Sequence, residues 1–526
     1  MTATTAPLDD PCLSRPNIPD CPRVKGRWVL AATVLGSAMA MIDGTAVSVA
    51  LPVMQAELVA TVAEMQWVVE SYALLLAALL LVGGALGDRY GRRRVFLIGV
   101  ATFAMASAVC GVAPTVDVLI WARAAQGAAG ALLLPGSLAI IGATFSDRQR
   151  GTAIGTWSAF TAITAAVGPV LGGWLAESWS WRWIFYLNIP VAVMVIVISL
   201  RFVDESRDES AQGKPIDLWG ALLVTVGLGA FVFGLIEAPL RGWNDLFVVV
   251  SLIVGIAGFF AFLIVESRLA VPMMPLGMFR SRTFSAVNLL TLLLYAALGG
   301  VFFFLPFNLV QVQEWRPTVA GMALLPMVLS LSLLSRWSGG LVDRFGARLP
   351  LTIGPTIAAA GFALLMRPGL DSNYWTDWFP GVLVLGLGMA ICVAPLTTTV
   401  MNAVDDRHVG LASGVNNAIS RTASLLAIAA LGVVLTVGFD RVLDERLVTL
   451  SLDSTTLAAV DAVRADLAAA VVPDHVPAPT REAIDAAIDH AYIAGFRRIM
   501  GVAAILALLS ALVGWFGVDD HSSEEG

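Results

Sequence analysis

Long apolar runs recur along nearly the whole chain, and no other feature limits its fold so sharply. A helix needs about 20 apolar residues to cross the hydrocarbon of a bilayer. Runs of that kind fall near 27–51, 66–86, 95–112, 118–142, 152–174, 184–200, 218–237, 246–265, 285–310, 319–341, 350–366, 379–400, 411–437 and 499–516, about fourteen in all. They lack the dyad alternation of barrel strands, and in lipid each backbone N–H must find a partner within its own segment, so they predict helices. Composition agrees: 58% of the 526 residues are hydrophobic and 13% are charged, against about a quarter charged in a soluble domain. An all-α polytopic membrane protein is expected. Disorder, nucleic-acid binding and a secreted disulfide scaffold are excluded, and the net charge of −7 belongs to loops and tails and identifies no partner.

Little in the sequence suggests redox, metal or ATP chemistry. Cys12 and Cys21 lie in a polar tail and Cys110 and Cys392 in apolar runs, without metal-ligand spacing. His408, His475, His490 and His521 all fall in loops or tails, and there is no Walker A sequence. No metal and no cofactor is expected.

Orientation follows from basic residues in short loops. With the N-terminus inside, inner loops carry Arg89, Arg92, Arg93, Arg94, Arg148, Arg150, Arg201, Arg207, Lys214, Arg268, Arg280, Arg282, Arg344, Arg348 and Arg407. The short outer loops carry Arg182, Arg241, Arg316 and Arg367. Both termini are therefore expected to be cytoplasmic, in a bacterial inner membrane. Residues 1–26 are polar and the first apolar run is too long for a signal h-region, so no cleavable signal is expected. The connection 438–498 departs from the short-loop pattern. Apolar Ile484, Ile488, Tyr492 and Phe496 recur there every four residues, as in an amphipathic helix leading into the last span. The segment reads either as a solvated external hairpin or as a cap over the outer vestibule.

An internal repeat sets the architecture. Gly84-Ala-Leu-Gly-Asp88-Arg89-Tyr90-Gly91-Arg92-Arg93 lies between the second and third runs. Gly339-Gly-Leu-Val-Asp343-Arg344-Phe345-Gly346-Ala347-Arg348 lies between the tenth and eleventh. Repeats of like orientation imply two halves related by an axis along the membrane normal. The expected division is a tail at 1–26, a six-helix bundle at 27–200, a linker with two extra helices at 201–284, a second bundle at 285–516 and a tail at 517–526. In each loop the glycines permit close approach, and Gly91 or Gly346 can take a positive φ. The aspartate can accept at the N-terminus of a neighbouring helix. Such a loop is either a gating element or only a topology anchor.

These paired loops resemble the cytoplasmic signature of the major facilitator superfamily, and the span pattern resembles its fourteen-helix drug–proton antiporter branch. Asp43-Gly-Thr45-Ala-Val-Ser-Val-Ala50-Leu51-Pro52 resembles the first-helix motif of that branch, and Arg123-Ala-Ala-Gln126-Gly127-Ala-Ala-Gly130 the fourth-helix motif. Gly155, with Gly168-Pro169-Val-Leu-Gly172-Gly173, resembles the antiporter motif of the fifth helix. Trp181-Arg182-Trp183-Ile-Phe185-Tyr-Leu-Asn188-Ile-Pro190 resembles the sixth-helix entry. Thr164 departs from the pattern where the family has a glycine. The resemblance covers nearly the whole chain and implies the major facilitator fold, 14 transmembrane helices, proton-driven drug efflux, and a first and fourth helix that bring Asp43 and Arg123 together.

A charge at the bilayer centre costs about 2.5–3.5 kcal/mol on insertion scales, so Asp43, Glu70, Arg123 and Arg421 should face the bundle interior. Asp43 is the expected proton carrier and Arg123 its modulator, because arginine does not release its own proton. Approach of the cation favours the carboxylate and its retreat into dry surroundings favours the neutral acid. The alternative is a permanent structural ion pair. Glu70 stands where the family has a small polar residue. It either binds a cation or second proton, or reaches the outer surface. Arg421, with Asn416 and Asn417, either bonds helices together or contacts substrate. Pro169 and the nearby glycines can bend and closely pack a helix at the interface between halves, or be generic small-residue packing.

Trp67, Tyr72, Gln126, Tyr295, Phe303 and Met327 complete the candidate cavity residues. An apolar cavity with few fixed charges favours lipophilic small molecules, cationic ones among them, over sugars or phosphates. The expectation is an exporter with the proton as coupling ion, the bilayer and a lipophilic small molecule as partners, acting as a monomer. A dedicated exporter of an endogenous lipid, siderophore or secondary metabolite, an uptake symporter and a membrane enzyme are the alternatives.

Overall fold

The computed structural model describes residues 23–208, 217–269, 272–405, 409–450, 452–473 and 476–519. Cys12, Cys21, Lys214, Arg407, His408, His475 and His521 lie outside them.

The first bundle is built from α1 (Arg23–Leu58), α2 (Val62–Tyr90), α3 (Arg92–Val112), α4 (Val116–Thr144), α5 (Asp147–Ser178), α6 (Arg182–Tyr186) and α7 (Asn188–Phe202). A hairpin follows, α8 (Leu218–Arg241) and α9 (Leu246–Arg268). The second bundle contains α10 (Arg282–Phe307), α11 (Pro317–Ala323), α12 (Leu325–Gly339), α13 (Leu341–Phe345), α14 (Arg348–Leu364), α15 (Phe379–Asn402), α16 (Val409–Leu450), α17 (Ser454–Val463) and α18 (Ala478–Gly517). The order is that of two helical bundles with an inserted hairpin between them. Short polar side chains define several helix starts: Thr61 and Glu64 form a reciprocal capping box at α2, and Asp217 and Asp245 cap α8 and α9.

Among the described residues thirteen helical stretches are long and apolar enough to cross a membrane. The run expected at 350–366 is a shorter apolar helix, α14, of 17 residues, a rise of about 26 Å. The protein is a multi-pass membrane protein. The run expected at 319–341 is two helices, α11 and α12, because Leu324 opens a turn ahead of Pro326.

The 438–498 connection is not a plain hairpin. Helices α16 and α18 extend into it, and α17 and a 3₁₀ turn, Arg464–Ala469, fold between them. Ile484, Ile488, Tyr492 and Phe496 are buried, as are Val460, Leu467 and Val472. Gln55 at the end of α1 donates to the Asp466 carbonyl (3.1 Å). Arg464 gathers Asp440, Asp444 and Asp461 within 4 Å. The segment therefore caps the ends of α1 and α2, held by apolar side chains spaced for burial.

Helices α1 and α10 begin, and α7 and α18 end, at one face, here called the terminal face. Lys25 pairs with Asp204 there, and Arg282 donates to the Phe516 carbonyl (2.7 Å). On the α5–α11 side the two bundles close on each other at the opposite face. Gln311 donates to Gln55 (2.9 Å), Arg316 Nε donates to Glu177 (2.6 Å), and the same carboxylate accepts from Thr318 N. Toward the terminal face the flanks separate: Phe160 and Ile163 of α5 and Leu333 of α12 are at least half exposed. The cleft thus opens toward the terminal face.

Candidate functional site

The most connected polar cluster in the first bundle surrounds one carboxylate. Asp43 lies just past the middle of α1, at 0% exposure, and forms an ion pair with Arg123 of α4, at 1%. Gln126, one turn along α4, donates to Asp43 (2.8 Å) and to Ser107 of α3 (2.7 Å), and accepts from Arg123 (2.7 Å). Asn188, at the start of α7, donates to Asp43 (3.2 Å) and Ser107 (3.1 Å). Arg123 also donates to the Val68 carbonyl (3.1 Å) and lies over the Tyr72 ring at 4.2 Å. Four helices therefore solvate one carboxylate and one guanidinium with fixed dipoles, which is how a buried pair avoids the full desolvation penalty. The structure brings Asp43 and Arg123 together, and it places Gln126 and Tyr72, expected in the cavity, in the same cluster. Ser107 and Asn188 were not singled out in the sequence. A serine in an apolar run carries little signal, whereas Asn188 stood in the sixth-helix motif and was readable there.

Glu70 is fully buried, so the reading that it reaches the outer surface is overturned. Neither carboxylate oxygen has a hydrogen-bond partner. It lies on the α2 stripe that turns away from the Asp43 cluster. On that stripe Gln66 donates to the Ile428 carbonyl of α16 (2.9 Å), and Trp67 packs on Phe233 of α8 at 6.1 Å. Trp67 is therefore part of the hairpin contact, not of a cavity wall, because the inserted helices cover that face of α2.

In the second bundle, Asn416 donates to Asn288 (3.1 Å) and Thr291 (2.8 Å) of α10, a hydrogen-bonded tie between two helices. Arg421, about one turn further along α16, forms no ion pair among the described residues. The Tyr295 carbonyl accepts from Ser424 (3.2 Å). Phe303, at 2% exposure, meets Phe304 edge to face and Phe307 at a tilt, and Met327 is buried where α12 meets Gly386 of α15. Both are core side chains rather than cavity walls, because α10 and α12 turn these positions toward their own bundle.

The two repeat loops differ. Asp88 does not cap a neighbouring helix; it pairs with Arg92 four residues on (2.7 Å). The capping acid is Glu205, which accepts from the backbone of Arg93 (3.1 Å) and Arg94 (3.2 Å) at the start of α3. Arg89 lies against the ring of Tyr90. Gly91 has φ 118° and a side chain there would strike Glu205. In the second loop Asp343 and Arg344 are exposed and Gly346 has φ 73°. Gly84 stands by Pro135 of α4.

The α5 glycines face two ways. Gly168 and Gly172 seat on Thr45 and Ala46 of α1, whereas Gly173 meets the Pro317 carbonyl of the second bundle and the Pro169 carbonyl meets Gly321. Gly155, expected to share that packing, has no neighbour there, because α5 borders the open part of the cleft.

Residues 33–428 match the family model of the Major Facilitator Superfamily. The chain belongs to the major facilitator superfamily. Relatives within this superfamily include a multidrug resistance protein Stp of Mycobacterium tuberculosis, 34% identical over 80% of this chain and 77% of its own. A tetracenomycin C resistance and export protein of Streptomyces glaucescens is 32% identical over 94% and 92% of the two chains. A solved bacterial homologue of the human lysosomal transporter Spinster, in an inward-facing and unoccupied conformation, shares the major facilitator fold with TM-score 0.64 and 16% identity, covering 94% of this chain and 98% of its own.

Proposed function

We propose that this chain exports hydrophobic or amphiphilic small molecules, including cationic ones, across a bacterial inner membrane in exchange for protons. Its two bundles rock between states open to opposite faces. The observation that carries the reading is the Asp43–Arg123 pair enclosed by Gln126, Asn188 and Ser107, since an acid this deep in lipid is retained where it does work. The relatives support export of drugs or antibiotics, by their names. The arginine-rich loops support a cytoplasmic terminal face and cytoplasmic termini.

The cleft in this structure then faces the cytoplasm, and Asp43 is held by Arg123 as it would be after releasing its proton inward. Rocking to the outward-open state moves α1 against α4, separates the pair and leaves a carboxyl in dry surroundings, which takes up a proton from outside. Return to the inward state restores Arg123 and expels that proton. Glu70 is the second acid, available to a cationic substrate or a second proton. Each proton moving inward down a membrane potential supplies about 2.3 kcal/mol per 100 mV. No cofactor takes part, and one chain suffices.

The test is proton release from purified protein on adding a lipophilic compound, together with drug-dependent proton flux in proteoliposomes. Asp43→Asn should abolish both while the protein stays folded in the membrane; intact proton-coupled transport by that variant would overturn the reading. A second reading, export of a single secondary metabolite, draws on relatives named for tetracenomycin C and, as probable, actinorhodin transport. Response to one compound in a chemically broad panel would favour it.

A further inference from the structure

Beyond the Asp43 cluster, a large, partly open cavity lies between the α8–α9 hairpin and the seam where α2 and α16 meet. Toward the face opposite the termini the hairpin packs directly on that seam: Val232 and Ile236 of α8 seat against Leu425 and Ala429 of α16, beside Trp67. Toward the terminal face the hairpin stands off and leaves a cavity of about 680 Å³, the size that holds a drug-like molecule. Ala78 and Leu81 of α2 form one wall, Leu228 and Phe259 of the hairpin another, and Ala418 and Thr422 of α16 a third. No acidic or basic side chain lines it. Met273 and Met274 form part of its edge, side chains that adapt to irregular guests. The backbone N–H of Met274 is held by Glu266 (3.1 Å).

Three polar side chains break the apolar walls, and Ser285 is spent on the Phe279 carbonyl. Asn288 is saturated, by Asn416 and by the Phe284 carbonyl. Thr422 is not. Most hydroxyls in these spans bond the carbonyl four residues back, as Thr291 and Thr399 do, yet the Thr422 hydroxyl has no hydrogen-bond partner among the described residues. A void of this size in a close-packed protein forfeits the contacts of every side chain around it unless something fills it.

We propose that this cavity binds an uncharged, lipophilic small molecule with one hydrogen-bonding group for Thr422, entering from the adjoining lipid leaflet. Its walls come from both bundles, α2 from the first and α16 from the second. Closing the terminal face draws those walls together, so the guest binds the open state more tightly and is squeezed out on closure. Identifying the guest as cargo rests on the transport reading above; binding itself does not.

The probe is the neutral dye N-phenyl-1-naphthylamine, titrated by fluorescence into the purified full-length chain, with phospholipid carried through purification quantified in parallel. Ala418→Phe fills the cavity and should weaken dye binding about tenfold or more, in line with loss of a snug apolar site. Thr422→Val keeps the shape and should weaken it about threefold to tenfold, the worth of one neutral hydrogen bond. Thr61→Ala, at the α2 cap far from both sites, should leave dye binding unchanged; dye affinity is read without any proton flux, so lost flux with intact dye binding bears on the proton reading alone. Wild-type affinity in a folded Thr422→Val variant, together with wild-type affinity in Ala418→Phe, would overturn the site. So would a tightly held phospholipid that the dye cannot displace, since the cavity would then be a structural lipid slot.

Discussion

Replacing Asp43 by asparagine isolates the buried charge, because the two side chains are nearly the same size and no cavity is made. Asp43 accepts from Arg123, from Gln126 (2.8 Å) and from Asn188 (3.2 Å). An asparagine keeps an acceptor for one or two of these but supplies no negative charge. Arg123 would retain the Val68 carbonyl (3.1 Å), Gln126 Oε1 (2.7 Å) and the Tyr72 ring (4.2 Å), yet stand as an uncompensated cation at 1% exposure. Breaking a buried pair by removing one partner costs about 3–5 kcal/mol, and the surviving partners place D43N near the low end, about 3 kcal/mol. Arg123→Gln should cost less, about 2 kcal/mol, since an orphaned carboxyl can neutralise itself with a proton and a guanidinium cannot. The double variant removes both charges and should be no worse than D43N alone, a coupling of about 2 kcal/mol. The assay is the thermal midpoint of dispersion-free protein followed by size exclusion in detergent. D43N should fall by about 3 °C, at about 1 °C per kcal/mol for a chain of 526 residues. If the two single-variant shifts simply add in the double variant, the pair is not coupled and the site as described is wrong.

Four further outcomes follow from the same geometry. Gly173→Val drives a branched side chain into the Pro317 carbonyl, which should loosen the seal opposite the termini by about 1–3 kcal/mol; spin-label distances between α5 and α11 should lengthen, and unchanged distances would remove Gly173 from the seal. Gly91→Ala combines φ 118° with a clash on Glu205 and should destabilise the α2–α3 turn by about 1–3 kcal/mol, read as a lowered thermal midpoint that Glu205→Ala partly rescues. Thr61→Ala removes half of the α2 capping box and should cost about 1 kcal/mol, seen as faster hydrogen exchange over the first turn. The hydroxyls of Thr455 and Thr456 hold Asp453 down to about 2. Its folded value lies below the unfolded one of about 3.9, so the α17 cap is intact above about pH 4 and is lost as pH falls through about 2. Pepsin cleavage in 452–463 should rise over that window, and Asp453→Asn should flatten the dependence.

The long apolar runs, the paired glycine–aspartate–arginine loops and the intramembrane acids were all readable in the residue order, because lipid forces every span to be long, apolar and internally hydrogen-bonded. That physics made the helical bundles, the twofold repeat and the burial of Asp43 and Arg123 legible without coordinates. It also misled in particular places. Asp88 was expected to cap a helix, but a linker residue, Glu205, reaches that N-terminus across more than a hundred positions of sequence. Trp67, Phe303 and Met327 were aromatic or sulfur-bearing and well placed along their helices, yet period alone does not say which neighbour covers a face. The segment 438–498 looked polar by composition, whereas its few apolar residues are spaced to bury together once α16 and α18 carry them to the same spot.

What the chain's order determined by itself is membership in the bilayer, the number of spans to within a short helix, and the charges that had to turn inward. What only tertiary structure decided is partnership: that Gln126 and Asn188 join the Asp43 pair, that Glu70 turns away from them, that Gly173 faces the other bundle, and that the inserted hairpin stands off the α2–α16 seam. Helix formation is local and leaves its signature in spacing. Which helix meets which is set by side chains far apart in sequence competing for the same volume, and no stretch of sequence carries that information alone.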